Sequence, residues 1–467
     1  MWNTMREDVM HESGTLPPGW MWTTLGKTTD TTRMRTDPQN HPETRFIGME
    51  HVEAHTMRLL GTIPATDMHS SAERFRSGDV LYGRLRPYLN KVFCPDFSGL
   101  CSGEFIIFRK VPHLESRYLQ YFLNSAGFVS FASHLNAGDR PRVNFEQLAD
   151  YPFPLPPLPE QRRIVAKIEE LFTQLDAGIA ALKRVQANLK RYRASVLKAA
   201  CEGRLAPQEP ADEPADRLLA RILAERRAKW QAEHPGKKYV EPAAPVTDGL
   251  PELPAGWCWA SLGQLAWDSG YGTSQKCDYE ASGPPVLRIP NIAKGRIDLS
   301  DLKYATSPDE LQVTEALQSG DLLIIRTNGS RDLIGRSAVV RETCPVPHYF
   351  ASYLIRFRII SLEVLPVWIS TVWDTGFLRS WIEGIAVTSA GQYNVSMSSL
   401  GKLPIPLPSL SEQHRIVGEA ERRLSVVAEL EATVAANVAR AGRLRQAVLK
   451  RAFEGRLVAQ EARDSAA

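Results

Sequence analysis

The stretch EQRRIVAKIEEL (160–171), running on to SVLKAACEGRL (195–205), returns as EQHRIVGEAERRL (412–424) and QAVLKRAFEGRL (446–457). The offset is 252 without a gap, and 18 of the 46 aligned positions are identical. A duplicated segment carries the architecture in its period. Each copy follows proline-rich text, YPFPLPPLP (151–159) and LPIPLPSLS (403–411), which cannot propagate a helix, so each copy predicts a long helix with a sharp start. In the first, Ile164, Ile168, Leu171, Leu175, Leu182, Val185, Leu189, Tyr192 and Val196 step by four and three, with Gly178 at the one missing place. In the second, Ile416, Ala420, Val427, Leu430, Val434, Ala441, Leu444 and Val448 fall on the same stripe, interrupted by Arg423 and Asn437. A narrow apolar seam of this period needs a partner helix, and the other copy is the nearest candidate. At about 1.5 Å per residue each rod is roughly 70 Å long. Both end in Glu-Gly-Arg-Leu, where Gly203 and Gly455 suit left-handed caps.

Outward from the helices, LPPGWMWTTLG (16–26) recurs as LPAGWCWASLG (253–263) at an offset of 237. The drift from 237 to 252 places the insertions in the globular parts, so divergent heads stand on matched helices. The repeated tryptophans, Trp20 and Trp22 with Trp257 and Trp259, read as framework packing rather than base-stacking platforms. The expected segmentation is a tail (1–15), a first head (16–155), a central helix (156–206), a connector (207–250), a second head (251–408), a C-terminal helix (409–457) and a tail (458–467). Within the connector, 216–232 reads as a shorter amphipathic helix and the rest as a proline-rich linker. The fold class is α+β. Two mixed α/β heads are separated by two long helices forming an antiparallel coiled coil with a pseudo-two-fold internal repeat.

Composition narrows the function by exclusion. Of 467 residues, 43% are hydrophobic and 23% charged, ordinary values for a folded multidomain chain. No run approaches 18 apolar residues and the N-terminus lacks a secretory pattern, which predicts a cytoplasmic protein with no membrane partner. The six cysteines form no CxxC pair, which argues against a zinc ribbon or disulfide framework. A net charge of +3 leaves nucleic-acid binding open, because clustering rather than total charge decides it. His51 and His55 flank a misplaced Glu53, and the acids Asp96 and Glu104 lack a nuclease lysine, since Ile106 stands where it belongs. There is no phosphate-binding glycine loop and no amino-methyltransferase tetrapeptide. The chain is therefore expected to be non-catalytic and to bind neither metal nor cofactor itself.

The heads offer basic and amide side chains on loops between strand-like runs. SGDVLYGRLRPYLNK (77–91) opens onto Arg84, Arg86 and Lys91, and SGDLLIIRTNGSR (319–331) onto Arg326, Asn328, Ser330 and Arg331, with Arg336 beyond. Arginine forks and amides suit base edges, whereas lysine and glycine-rich backbone suit phosphates. Arg140 and Arg142 in the first head, and Gln392, Tyr393 and Asn394 in the second, occupy equivalent later loops. Different polar letters in equivalent loops are what two readers of different sequences would carry.

Two heads that each open LPxGWxWxxLG, and each close through proline-rich text into an EQ helix ending EGRL, resemble the specificity subunit of a Type I restriction-modification system. The resemblance covers nearly the whole chain. It implies two target-recognition domains, each reading one half of a bipartite asymmetric double-stranded DNA site, held apart by the coiled coil. It further implies two modification (methyltransferase) subunits, S-adenosylmethionine on those subunits rather than on this chain, and restriction and translocase subunits. The alternatives are a specificity chain working with a methylase alone, and a coiled-coil adaptor whose heads bind proteins.

Overall fold

The computed structural model describes residues 16–342, 346–360, 366–389 and 391–459. The tail expected at 1–15, residues 460–467 of the tail expected at 458–467, and Cys344 lie outside the described residues, whereas Val458 packs against the core of the first unit. The chain divides into two compact units, Met1–Arg184 with Val434–Ala467 and Val185–Thr433. The longest helices are α1 (Leu158–Cys201), α2 (Ala215–Glu233) and α3 (Leu410–Phe453). Each unit thus combines one head with part of α1 and part of α3.

The repeated letters have local reasons. Proline at alternate positions makes strands Pro152–Leu155 and Pro404–Leu407, which pair antiparallel with Met21–Thr24 and Cys258–Ser261. The ring nitrogens then fall on the side that needs no ladder bond. Fully buried Gln161 joins the proline strand to the start of α1, donating to the Pro156 carbonyl at 2.9 Å and the His113 carbonyl at 3.1 Å. Gln413 repeats this on the Pro408 carbonyl at 3.0 Å. Ser409 caps α3 by accepting from the Glu412 amide at 3.0 Å.

Both helices end in left-handed glycines, Gly203 (φ 63°) and Gly455 (φ 68°), closed by the Arg204 amide on the Ala199 carbonyl and the Arg456 amide on the Arg451 carbonyl. These ends seat on the tryptophan motif of a head. A β-carbon at Gly203 would lie 2.8 Å from Pro254 and 3.3 Å from Trp257, and one at Gly455 would strike Pro17 and come 3.4 Å from Trp20. The end of α1 therefore belongs to the second head, and the end of α3 to the first.

In the first unit the head has a five-stranded sheet and a three-stranded sheet in which Val80–Gly83 lies between Val92–Phe93 and Phe105–Phe108. Its core takes in Ile164, Ile168 and Phe172 of α1 and Leu449, Ala452 and Phe453 of α3. In the second unit Asp321–Ile325 lies between Leu354–Ile359 and Ser337–Val339, and Ala266–Tyr271 completes that sheet. Its core takes in Val196 and Ala200 of α1, Leu218 and Ile222 of α2, and Ile416, Val417 and Ala420 of α3. In the first unit the early part of α1 meets the late part of α3, and in the second the late part of α1 meets the early part of α3. The two helices are antiparallel. Trp20 and Trp257 sit in the two cores, and Trp257 packs edge-on against Trp368 at 5.6 Å.

The seam needs correction. Val185, Tyr192, Leu430 and Leu444, expected on it, are 43–46% exposed. Phe172, Val417, Leu449 and Phe453, off the predicted stripe, are buried. The physical reason is that a second helix shields one side only. Near the heads a second wall forms, as where Phe453 meets Tyr118 and Phe122 at 5.2 Å, so the buried stripe widens there. Positions flanked by no head stay half open. The interrupting Arg423 pairs with Glu419 at 2.6 Å.

Among the described residues no helix is long and apolar enough to cross a membrane, and no group of three or more His, Cys, Asp or Glu side chains could hold a metal ion. Five cysteines are free thiols. Burial pushes the Cys94 thiol up to about 11 and that of Cys201 up to about 12.

Candidate nucleic-acid interface

The repeated Ser-Gly-Asp builds the strand that leads into each candidate loop. Gly78 (φ 85°) and Gly320 (φ 89°) turn the chain, and the acid that follows is buried and bound to an arginine. Asp79 takes Arg109 at 2.8 Å, and Asp321 takes Arg358 through two bonds of 2.9 and 3.0 Å. Such buried pairs hold a geometry more than they add stability. Beyond them the strands run through Gly83 and Ile325 to Arg84 and Arg326.

The structure brings the separated candidate segments together, and does so alike in both units. The Val143 amide donates to the Arg84 carbonyl at 3.0 Å, Leu85 bridges Arg142, and the Arg86 amide donates to the Pro141 carbonyl at 2.7 Å. In the second unit the Val395 amide donates to the Arg326 carbonyl at 2.9 Å, and Thr327–Asn328 pairs with Tyr393–Asn394, extended by Val387–Ser389. Each unit therefore carries a two-segment polar ridge: 84–91 beside 140–143, and 326–336 beside 392–395.

The side chains on these ridges differ in availability. Arg86, held at φ 53°, is exposed, as is Arg140, and neither side chain forms an ion pair or hydrogen bond among the described residues. Arg142 is held by Glu104 at 2.9 Å, and Arg331 by Glu383 at 3.5 Å. Arg336 donates through Nε to the Asp332 carbonyl at 2.7 Å. The Arg326 guanidinium lies over the Tyr271 ring at 4.5 Å, and its Nε is buried without a partner among the described residues, as is that of half-buried Arg84. Asn328 accepts from the Ser330 amide at 2.7 Å, which shapes the tip, and Gln392 accepts from the Thr327 hydroxyl at 3.1 Å. Lys91 departs from expectation: its ammonium donates to the Met49 carbonyl at 2.6 Å and so braces the loop from within.

Sequence reasoning missed that Glu104 holds Arg142, and it missed Tyr271, the platform under Arg326. Exposed Tyr88 at the first tip is a further aromatic beside Arg86. Tyr271 and Arg326 stand 55 residues apart in the chain, and no spacing rule joins them. Tyr88 was in plain view within Arg-Pro-Tyr.

Exposed guanidinium, amide and phenol groups on two backbone-stiffened ridges can donate to and accept from base edges and phosphates. Nothing on either ridge assembles a nucleophile and a base.

Comparison with known proteins points the same way. The family model described as the Type I restriction modification DNA specificity domain matches residues 61–187, which contain the whole first ridge. The specificity subunit of the Type I restriction enzyme EcoKI from Escherichia coli (strain K12) is 26% identical over 367 residues, covering 78% of this chain and 69% of that protein. The EcoEI specificity subunit of Escherichia coli is 25% identical, covering 89% of this chain and 79% of its own length. A chain from a structure of complex assembly and conformational transition of the type I R-M system superposes with TM-score 0.69 at 25% identity, covering 95% of this chain and all of that one. The HsdS subunit of Thermoanaerobacter tengcongensis shares the fold, with TM-score 0.51 at 24% identity over 95% of this chain and 98% of its own.

Proposed function

Because this chain belongs to the specificity subunits of Type I restriction-modification systems, we propose that its two ridges read the two halves of one bipartite DNA site. The observation that carries this is the duplicated ridge: one backbone plan, built twice, with different side chains at the tips. Arg86, Arg140 and Tyr88 would read through the first, and Arg326, Asn328 and Tyr393 through the second. Arg84, Arg142, Arg331, Arg336 and Lys91 stiffen the loops or approach phosphates. Reading of this kind needs no bond made or broken by this chain.

Methylation and cleavage then belong to partners. Two modification subunits carrying S-adenosylmethionine, with restriction and translocase subunits, would complete the assembly in the cytoplasm. The half-open positions on the long helices, Val185, Tyr192, Leu430 and Leu444, leave apolar surface against which helices of other subunits can pack. An adaptor whose heads bind proteins is not favoured, since it leaves the guanidinium-rich tips without a purpose.

A mobility-shift titration of the chain on random-sequence duplex DNA across a salt series tests the reading. Affinity should fall steeply, with a log–log slope of about −0.9 for each phosphate contacted. Binding that ignores salt, or no binding to DNA with or without a modification subunit, would refute it.

A further inference from the structure

The foot of each ridge is tied to the long helices, and the tie is equivalent in the two units although its chemistry differs. In the first unit the loop returns to strand Val92–Phe93 through Asn90, left-handed at φ 41° and only 2% exposed. Its side-chain amide donates to Asn124 Oδ1 at 2.7 Å. Asn124, 4% exposed, directly precedes Ser125, the N-cap of helix Ala126–His134. Its Nδ2 donates to the Gln120 carbonyl at 2.9 Å, and its own carbonyl accepts Nε2 of Gln446 on α3 at 3.2 Å. A second tie runs from the same foot: the Asn90 carbonyl accepts the His55 amide, and nearby Arg58 pairs with Asp176 of α1 at 3.2 Å.

In the second unit the loop returns to strand Ser337–Val339 through Gly335, left-handed at φ 68°. Its carbonyl accepts the indole N–H of fully buried Trp373 at 2.7 Å. Trp373 and Asp374 directly precede Thr375, the N-cap of helix Gly376–Ile385. Trp373 lies in the core that Val196 and Ala200 of α1 also enter. Thus the first foot is tied to α3 through Asn124 and to α1 through Arg58, and the second is bound through Trp373 into the core that α1 enters.

We infer that Asn124 in the first unit and Trp373 in the second are positioning residues, setting the pitch of each ridge against the long helices so that base discrimination depends on them. This rests on the reading of the ridges as DNA readers. None of these side chains lies at a tip. Their effect reaches DNA through Asn90 and Gly335, because a reading arginine keeps a bidentate contact only while its backbone is aimed at one base pair. Phosphate contacts tolerate a small tilt far better, so non-specific affinity should change little.

The test uses the complex with its modification subunits, first to map the methylated site and then to measure methylation of duplexes altered by one base in either half. Gln446→Ala, on the helix surface, and Asn124→Ala, in the core, should each lower discrimination at the first half about three- to tenfold, the scale of one neutral hydrogen bond. Discrimination at the second half should stay as in the parent. Trp373→Phe, which keeps an aromatic side chain and removes the N–H donor, should do the reverse. Salt slopes on random DNA should match the parent for all three. Unchanged discrimination in both Gln446→Ala and Trp373→Phe overturns the inference, as does an equal loss at both halves from either variant. Should Asn124→Ala fail to fold, the surface variant decides for the first unit. A parent complex that discriminates at neither half would overturn the functional reading itself, and this inference with it.

Discussion

Arg86 and Asn328 stand two residues beyond the matched carbonyls of Arg84 and Arg326, each beside the second segment of its ridge. Arg86 has no competing partner among the described residues, so its guanidinium is available to a base without first breaking an ion pair. Arg86→Ala should therefore relax reading of one half-site only, and Asn328→Ala of the other. Each lost bidentate contact should cost about 1–3 kcal/mol. Competition binding with duplexes altered in one half checks this, and discrimination lost at both halves from a single variant would count against independent readers. That Arg86 lies on a loop was legible from the turn letters around it, whereas Asn328 lies in a short strand paired with Tyr393. That Lys91 turns inward to Met49, or that Arg326 rests on Tyr271, was not, because each contact joins residues brought together by sheet pairing rather than by spacing.

At the scale of elements, the glycine that ends each long helix does two things at once. It takes a left-handed turn, and it lets a proline and a tryptophan of one head approach the helix end. Gly455→Ala should be destabilising by about 1 kcal/mol or more from backbone conformation alone, with the clash against Pro17 added. Its effect should fall on the first unit: amide exchange should speed up across 445–455 and around 16–25 and stay unchanged in the second head. Gly203→Ala should do the opposite. Ser409→Ala should release the Glu412 amide and cost about 1 kcal/mol at the start of α3, read as faster exchange over 411–414. The helices, their terminal glycine caps and their abrupt starts were legible, since each follows from letters within a few residues. Which head each helix end would serve was not, because the repeat alone permits either.

For the molecule as a whole, the matched helices act as a ruler in the proposed function, since α1 and α3 are each 44 residues long and their repeat has no gap. Adding one heptad to each, after Leu182 and after Val434, keeps the apolar stripes in phase and lengthens each helix by about 10 Å. At about 3.4 Å per base pair the recognised spacer should grow by at most three base pairs, less if the helices are tilted to the DNA. The half-site sequences should stay the same, because no ridge residue changes. Methylation mapping of the lengthened protein reads the result directly. An active protein with an unchanged spacer would mean that the helices do not set the distance.

Periodicity and repetition act over short stretches of chain, so the sequence by itself determined the two heads, the two long helices with their glycine caps, and the duplication on which the proposed two-part reading rests. Folding alone decided the crossing of α1 to the second head and α3 to the first, the widening of the buried stripe at Phe172 and Phe453, and the joining of 84–91 to 140–143 and of 326–336 to 392–395. Those outcomes depend on which surfaces exclude water together and which backbone groups find partners. Contacts of that kind join residues from about 50 to more than 300 apart, as Gln446 on Asn124 illustrates, at separations where no local pattern of letters carries the information.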